Sequence, residues 1–206
     1  MNYNIKLIKN TDYSPTYWSG GMATELITYP ESSSFADRNF LWRMGFAKID
    51  IDTSTFSSLP GIKRHLMVTE GDMTLTHKDK YSKLLKPFTQ DFFMGDWTTT
   101  TEGRCSVLNL MTRENYDGNL FHISISKENK FDFEYTYPQN STVVSICIHP
   151  LNTSIKSKID SNFFNISKGD LLCIEVYDSN ILPQIEFINS DEYECQIICS
   201  VIFKEN

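Results

Sequence analysis

With 206 residues, 40% hydrophobic and 22% charged, the chain suits one large domain or two small ones and is too apolar for disorder. Its 14 Phe, 10 Tyr and 3 Trp can build a core, while 9 Gly, 7 Pro and the absence of heptads exclude collagen-like and coiled-coil classes. A net charge of −7 and a pI of about 5.1 argue against nucleic acid and membrane as partners, because both reward clustered Lys and Arg.

The N-terminus lacks a basic segment followed by an apolar one, and no apolar run is long enough to span a bilayer, so a cytoplasmic location is expected. Helical spacing is nearly absent. Short runs rich in Ile, Val, Thr, Phe and Tyr predict strands near 3–9, 24–29, 41–51, 64–69, 72–76, 107–112, 119–126, 142–149, 171–176, 184–189 and 193–203. Residues 73–77, the turn-forming 78–80 and the return toward Leu84 read as a hairpin. Gly-Asp pairs at 71–72, 95–96 and 169–170 mark turns: Gly supplies a positive φ and Asp bonds the local backbone. Residues 163–174 read as strand, Gly-Asp turn, strand. The class is all-β, a sandwich or barrel. Eight of the nine Gly lie at or before Gly118, and 114–118 looks like a connector. Two β units follow, 1–118 and 119–206, which need not be independent because each is small for its own core.

The five Cys (105, 147, 173, 195 and 199) sit among Ile, Val or Leu and read as small buried hydrophobes rather than as disulfides. The five Arg all lie at or before Arg113, so an anion site belongs in the first half. In a strand, alternate residues share a face, so Leu41, Arg43, Gly45, Ala47 and Ile49 face one way and Trp42, Met44 and Phe46 the other. Arg43 beside two small residues suits a pocket; the alternatives are an outer face or a carboxylate partner. Arg64 alternates with Leu66 and Val68 and is either inward or salt-bridged at a strand start. Two inward Arg would favour a dianion, because unpaired buried cations are costly. Glu25 shares a face with Ile27 and Tyr29 and could hold an Arg. Trp18 with Gly20-Gly21 suggests a tight backbone approach to a ligand or the core. Asn109 places one amide on the apolar face of Val107 and Met111, as a ligand contact or a network member. Phe88 and Phe93 read as core or pocket wall. His77, beside a turn, is expected to be exposed. No nucleophile elbow, phosphate loop or dinucleotide fingerprint is present.

Four stretches in order resemble the HutD/Ves family. They are 18–30 (Trp-Ser-Gly-Gly-Met-Ala-Thr-Glu-Leu-Ile-Thr-Tyr-Pro), 40–43 (Phe-Leu-Trp-Arg), and 56–61 (Phe-Ser-Ser-Leu-Pro-Gly) with Arg64 and Glu70-Gly71. The fourth runs from 85–88 (Leu-Lys-Pro-Phe) through 93–96 (Phe-Met-Gly-Asp) to 109–111 (Asn-Leu-Met). The resemblance covers about 15–113; the second half is similar only in its β pattern. It departs at Met22-Ala23, where the family commonly has a small or hydroxyl residue, and at Val107-Leu108, where the family usually has Asp-Phe. The resemblance implies a cupin-type fold, a jelly-roll bicupin, and a link to histidine utilisation in a regulatory or ligand-binding role.

Metal-dependent cupins use a His-X-His pair, a Glu and a later His. His65, His77, His122 and His149 form no such pair, so neither metal nor other cofactor is expected. The reading is a metal-free bicupin that binds a small anionic metabolite, a carboxylate such as an intermediate of histidine breakdown. Its pocket candidates are Trp18, Glu25, Arg43, Arg64, His65, Phe93, Asn109 and Met111, and pairing into a homodimer is compatible with it. One alternative is an isomerase or epimerase with Glu25 or His65 as base. The other is an interaction module with a filled barrel.

Overall fold

Short β-branched and aromatic runs punctuated by turn residues leave the chain almost wholly extended, as the computed structural model, describing residues 2–206, shows. In chain order the strands are β1 (Tyr3–Ile8), β2 (Thr16–Trp18), β3 (Gly21–Tyr29), β4 (Trp42–Ile49), β5 (Thr53–Thr55), β6 (Ile62–Gly71) and β7 (Met73–His77). Then come β8 (Tyr81–Leu85), β9 (Gln90–Met94), β10 (Thr99–Glu102), β11 (Cys105–Arg113), β12 (Tyr116–Ile125), β13 (Lys130–Asp132) and β14 (Ser141–Pro150). The last are β15 (Ile155–Ile159), β16 (Asn162–Ile166), β17 (Leu171–Val176), β18 (Ile185–Ile188) and β19 (Cys195–Glu205). One 3-10 turn at Asn10–Asp12 is the only helical element among the described residues, and no helix is long and apolar enough to cross a membrane.

The strands form two units. Tyr13–Asp117 holds a six-stranded sheet, β2-β3-β4-β11-β6-β9, and a four-stranded sheet, β5-β10-β7-β8. Between them lies a core of Leu66, Val68, Met73, Leu75, Leu85, Phe93 and Val107. The other unit is formed by the described residues up to Asp12 with Gly118–Asn206, in sheets β1-β17-β14-β19-β12 and β13-β18-β15-β16. Its core is built from Ile, Val, Leu and Phe side chains of both sheets. Two two-sheet antiparallel units suit a bicupin. All five Cys are buried and free.

Each predicted strand coincides with an observed one, and the hairpin turns at Asp79, whose φ is 62°. Gly71 and Gly169 take positive φ, 76° and 80°, as turn glycines do. The short β2, β5, β9, β10, β13 and β15 were not foreseen, because runs of three to five residues give too little pattern to mark a strand.

One boundary is corrected. Residues 3–8, placed with the first unit by sequence, pair antiparallel with β17, from Tyr3↔Val176 to Ile8↔Leu171. Asp170 anchors this crossing. Its buried carboxylate accepts bonds from Lys9 Nζ and the Asn10 N–H, both at 2.9 Å, and from the Ser167 N–H at 3.3 Å. Burial pushes the carboxyl up, but the Asn10 N–H, the Lys9 ammonium and the Ser167 N–H outweigh it and hold it below its ordinary value. A depressed acid stabilises the fold above its unfolded pKa, and that contribution disappears as pH falls through the lower folded value. Asp170→Ala is expected to cost about 2 kcal/mol at neutral pH and to flatten the loss of stability below about pH 4, read by urea unfolding at pH 7 and pH 3.

Candidate functional site

The register of the six-stranded sheet assembles the site. Met111 on β11 lies opposite Arg43 on β4 and Arg64 on β6, and Phe93 on β9 lies opposite Arg64. Opposed residues share a face, so the three strands carry an Arg–Met–Arg row. The next row is Gly45, Asn109 and Leu66, with Glu25 of β3 opposite Gly45. This face borders a cavity of about 210 Å³ lined by Ala47, Arg64, Val107, Asn109 and Met111 and rimmed by Trp18, Phe35 and Phe56. Val107 leaves this part of the wall apolar.

Arg43 is 8% exposed. Its Nε lies 3.2 Å from Glu25 Oε2, and its guanidinium stacks 4.5 Å from the Phe35 ring centroid. Of the readings made from the sequence, the outer face is excluded, and the carboxylate partner is Glu25. Burial lowers its pKa, and Glu25 works against that shift. Gly45 makes the placement possible, because a β-carbon there would lie 3.0 Å from Arg43 Nη2 and 3.3 Å from the Thr24 carbonyl oxygen. Gly45→Val is expected to push the guanidinium off its shelf and lower the unfolding midpoint, measured by thermal unfolding against Gly45→Ala as the milder case.

Arg64 is 6% exposed, and no carboxylate pairs with it among the described residues. Its guanidinium lies 4.5 Å from the Phe56 ring centroid and 5.0 Å from that of Phe93. Its Nε has no hydrogen-bond partner. Burial, reinforced by the charge of Arg43, lowers its pKa to about 9, so it stays charged at neutral pH. The aromatic faces offset part of the burial cost but provide no counter-charge.

Two guanidiniums and one carboxylate leave a single uncompensated positive charge. Glu25 pairs with Arg43, and Arg64 is the guanidinium left without a counter-charge.

Asn109 is 7% exposed, and its Oδ1 is buried with no partner. Trp18 is 41% exposed and lies flat on Gly20, where a β-carbon would meet ring atom Cζ3 at 2.1 Å. Phe93, 1% exposed, backs Arg64 rather than lining the cavity. His65 is a correction: it alternates with Arg64, so it faces away, and its Nε2 lies 2.8 Å from Asp117 Oδ1 with its ring against Phe92. His77 is another: it is 1% exposed, on the buried face that Met73 and Leu75 also occupy. No group of three His, Cys, Asp or Glu placed to hold a metal occurs among the described residues.

Sequence reasoning missed Phe35 and Phe56, which stack on the two guanidiniums. Both sit in Ser-rich connectors with no periodicity, and only the folded chain brings them over the sheet. Phe56 opens the motif 56–61 and Phe35 precedes the motif 40–43, which was the available signal.

A family model described as HutD matches residues 10–187. Among solved structures, the chain is similar to a conserved protein of unknown function from Pseudomonas aeruginosa PAO1, with a TM-score of 0.80 and 17% identity over 97% of this chain and 98% of that one. It is similar to HutD from Pseudomonas fluorescens SBW25, with a TM-score of 0.69 and 20% identity over 98% of this chain and 100% of that one. It also shares its fold with Lactobacillus farciminis oxalate decarboxylase, with a TM-score of 0.66 and 8% identity over 97% of this chain and 86% of that one.

Proposed function

This chain belongs to the HutD family, and on that premise we propose that it binds a small monocarboxylate in the cavity lined by Arg64, in an accessory or regulatory role in histidine utilisation. The observation that carries the reading is Arg64, a buried guanidinium without a counter-ion that faces a cavity of about 210 Å³. A bound carboxylate supplies the missing charge, accepts from the guanidinium, and replaces water that bonds poorly in an apolar-walled space. Asn109 presents an unpartnered Oδ1, an acceptor that suits an N–H or O–H elsewhere on the ligand. The family's name supports the link to histidine breakdown. The HutD structure from Pseudomonas fluorescens is described as a formate condition and the Lactobacillus farciminis structure as a formate complex, which makes formate a natural smallest probe.

Binding rather than turnover is favoured because the cavity offers no free base: Glu25 is engaged by Arg43, and His65 lies on the opposite face. Calorimetric titration with formate, urocanate, glutamate, formylglutamate and formiminoglutamate tests the proposal. Heat is expected with at least one of them, and the singly charged acids should bind more tightly than the doubly charged ones. Absence of heat with all five would overturn it.

A further inference from the structure

Asn109 lines the same cavity as Arg64, and its surroundings leave its Oδ1 nothing to accept from. On its face of the sheet, the neighbours along β11 are Val107 and Met111. The neighbours across are Gly45 on β4 and Leu66 on β6. Three of these side chains are apolar and Gly45 has none, so no flanking position carries a donor. The Arg43 guanidinium lies over Gly45, but its bonds go to Glu25 Oε2 and the Met111 sulfur, and its face to Phe35. A carbonyl oxygen buried without a donor is costly, and here only a molecule inside the cavity can supply one.

The placement of the two polar groups limits that molecule. Arg64 lies opposite Met111 and Leu66 opposite Asn109, so the cation and the acceptor stand diagonally on adjoining strands. Diagonal positions on paired strands are about 7–8 Å apart, a span that one small molecule can bridge. A cavity of roughly 150 Å³ holds a benzene ring, so the 210 Å³ here suits a ligand of roughly six to ten non-hydrogen atoms. Ala47, Ile49, Val107 and Met111 make the wall between largely apolar. An ammonium is a poor donor for this place: it would cancel the ligand's own negative charge and leave Arg64 uncompensated.

Resting on the reading of this cavity as a carboxylate site, we infer that Asn109 sets its specificity, selecting a small monocarboxylate that also carries one uncharged hydrogen-bond donor, a hydroxyl or an amide N–H. The carboxylate meets Arg64, the donor meets Asn109 Oδ1, and the carbon skeleton lies on the apolar wall.

Calorimetry on the whole chain compares butyrate with 2-, 3- and 4-hydroxybutyrate, N-acetylglycine and 3-aminobutyrate. At least one of the hydroxy acids or the amide is expected to bind about tenfold more tightly than butyrate, and 3-aminobutyrate no more tightly than butyrate. Asn109→Ala enlarges the space and Asn109→Leu fills it, and both should bring the ratio of donor-bearing acid to butyrate close to one. A ratio that survives in either variant would overturn the assignment of Asn109, and two variants that fail to fold would mark it as a structural residue and overturn it as well. If butyrate binds and no donor-bearing acid binds better, this inference falls while the carboxylate site stands. A preference for 3-aminobutyrate would overturn the uncharged donor. If none of the six acids binds, the carboxylate reading fails and takes this one with it.

Discussion

Arg64→Met is expected to stabilise the ligand-free protein and to abolish its response to carboxylates. The two effects have one cause. Arg64 is 6% exposed with no carboxylate partner, so folding removes its charge from water without restoring a counter-charge. Met has a similar length, packs against Phe56 and Phe93, and carries no charge. Replacing buried charge by apolar side chains of similar volume commonly stabilises by about 1–4 kcal/mol. The lost contact with two aromatic faces offsets part of that, so about 1–2 kcal/mol is expected, or roughly 2–8 °C in the unfolding midpoint. Losing the charge that meets the ligand should cost affinity about 100-fold or more. Thermal unfolding with and without a bound carboxylate reads both effects. A variant that is less stable without ligand would mean that Arg64 holds the fold together rather than waiting for an anion.

Asp91→Ala is expected to be the most damaging polar substitution in the Tyr13–Asp117 unit. Asp91, on β9 of the six-stranded sheet, accepts from side chains of the opposing four-stranded sheet. His77 Nε2 and the Tyr81 hydroxyl lie 3.1 Å from its Oδ2, and Lys83 Nζ lies 3.0 Å from its Oδ1. His77 Nδ1 in turn meets Thr99 Oγ1 at 2.9 Å. The network latches the two sheets together at their edge, beside Phe93 and Trp97, whose rings pack on His77. Removing the carboxylate leaves the fully buried His77 imidazole with one nitrogen unpaired and Lys83 with only the Gln90 carbonyl, a loss of about 3 kcal/mol. That corresponds to a fall of roughly 6–12 °C in the midpoint. Asp91→Asn, which keeps one acceptor oxygen, should lose about a third as much. Equal losses for the two variants would show that charge, not hydrogen bonding, holds the latch.

Much of the site was legible because the pleat is a local property. Alternation along β4 placed Arg43 with Gly45 and Ala47, and alternation along β11 placed Asn109 with Val107 and Met111 on the same side. The same rule already contained two corrections. Arg64 and His65 are consecutive, so on one strand they cannot both face the cavity. His77 follows Met73 and Leu75 at spacings of two, which puts it on the buried face despite the turn beside it. Its polarity and the neighbouring Lys-Asp-Lys favoured exposure, and the pattern won because Asp91 and Thr99 satisfy both ring nitrogens.

What only the tertiary structure decided are matters of partnership. Alternation groups Glu25 with Ile27 and Tyr29; only the register of β3 against β4, shifted between Glu25 and Ile27, puts Glu25 opposite Gly45, where its partly exposed carboxylate meets Arg43. Nothing in the Ser-rich segments around Phe35 and Phe56 says that they stack on guanidiniums. Nothing in residues 3–8 says that they pair with a strand more than 160 positions later, with Asp170 anchoring the crossing. By itself the sequence determined the all-β class, the faces of its longer strands and the resemblance carried by the motifs of its first half. These depend on near neighbours and backbone geometry. Charge balance, sheet membership and aromatic lids depend on residues distant in the chain, and their energies exist only once the fold removes those groups from water.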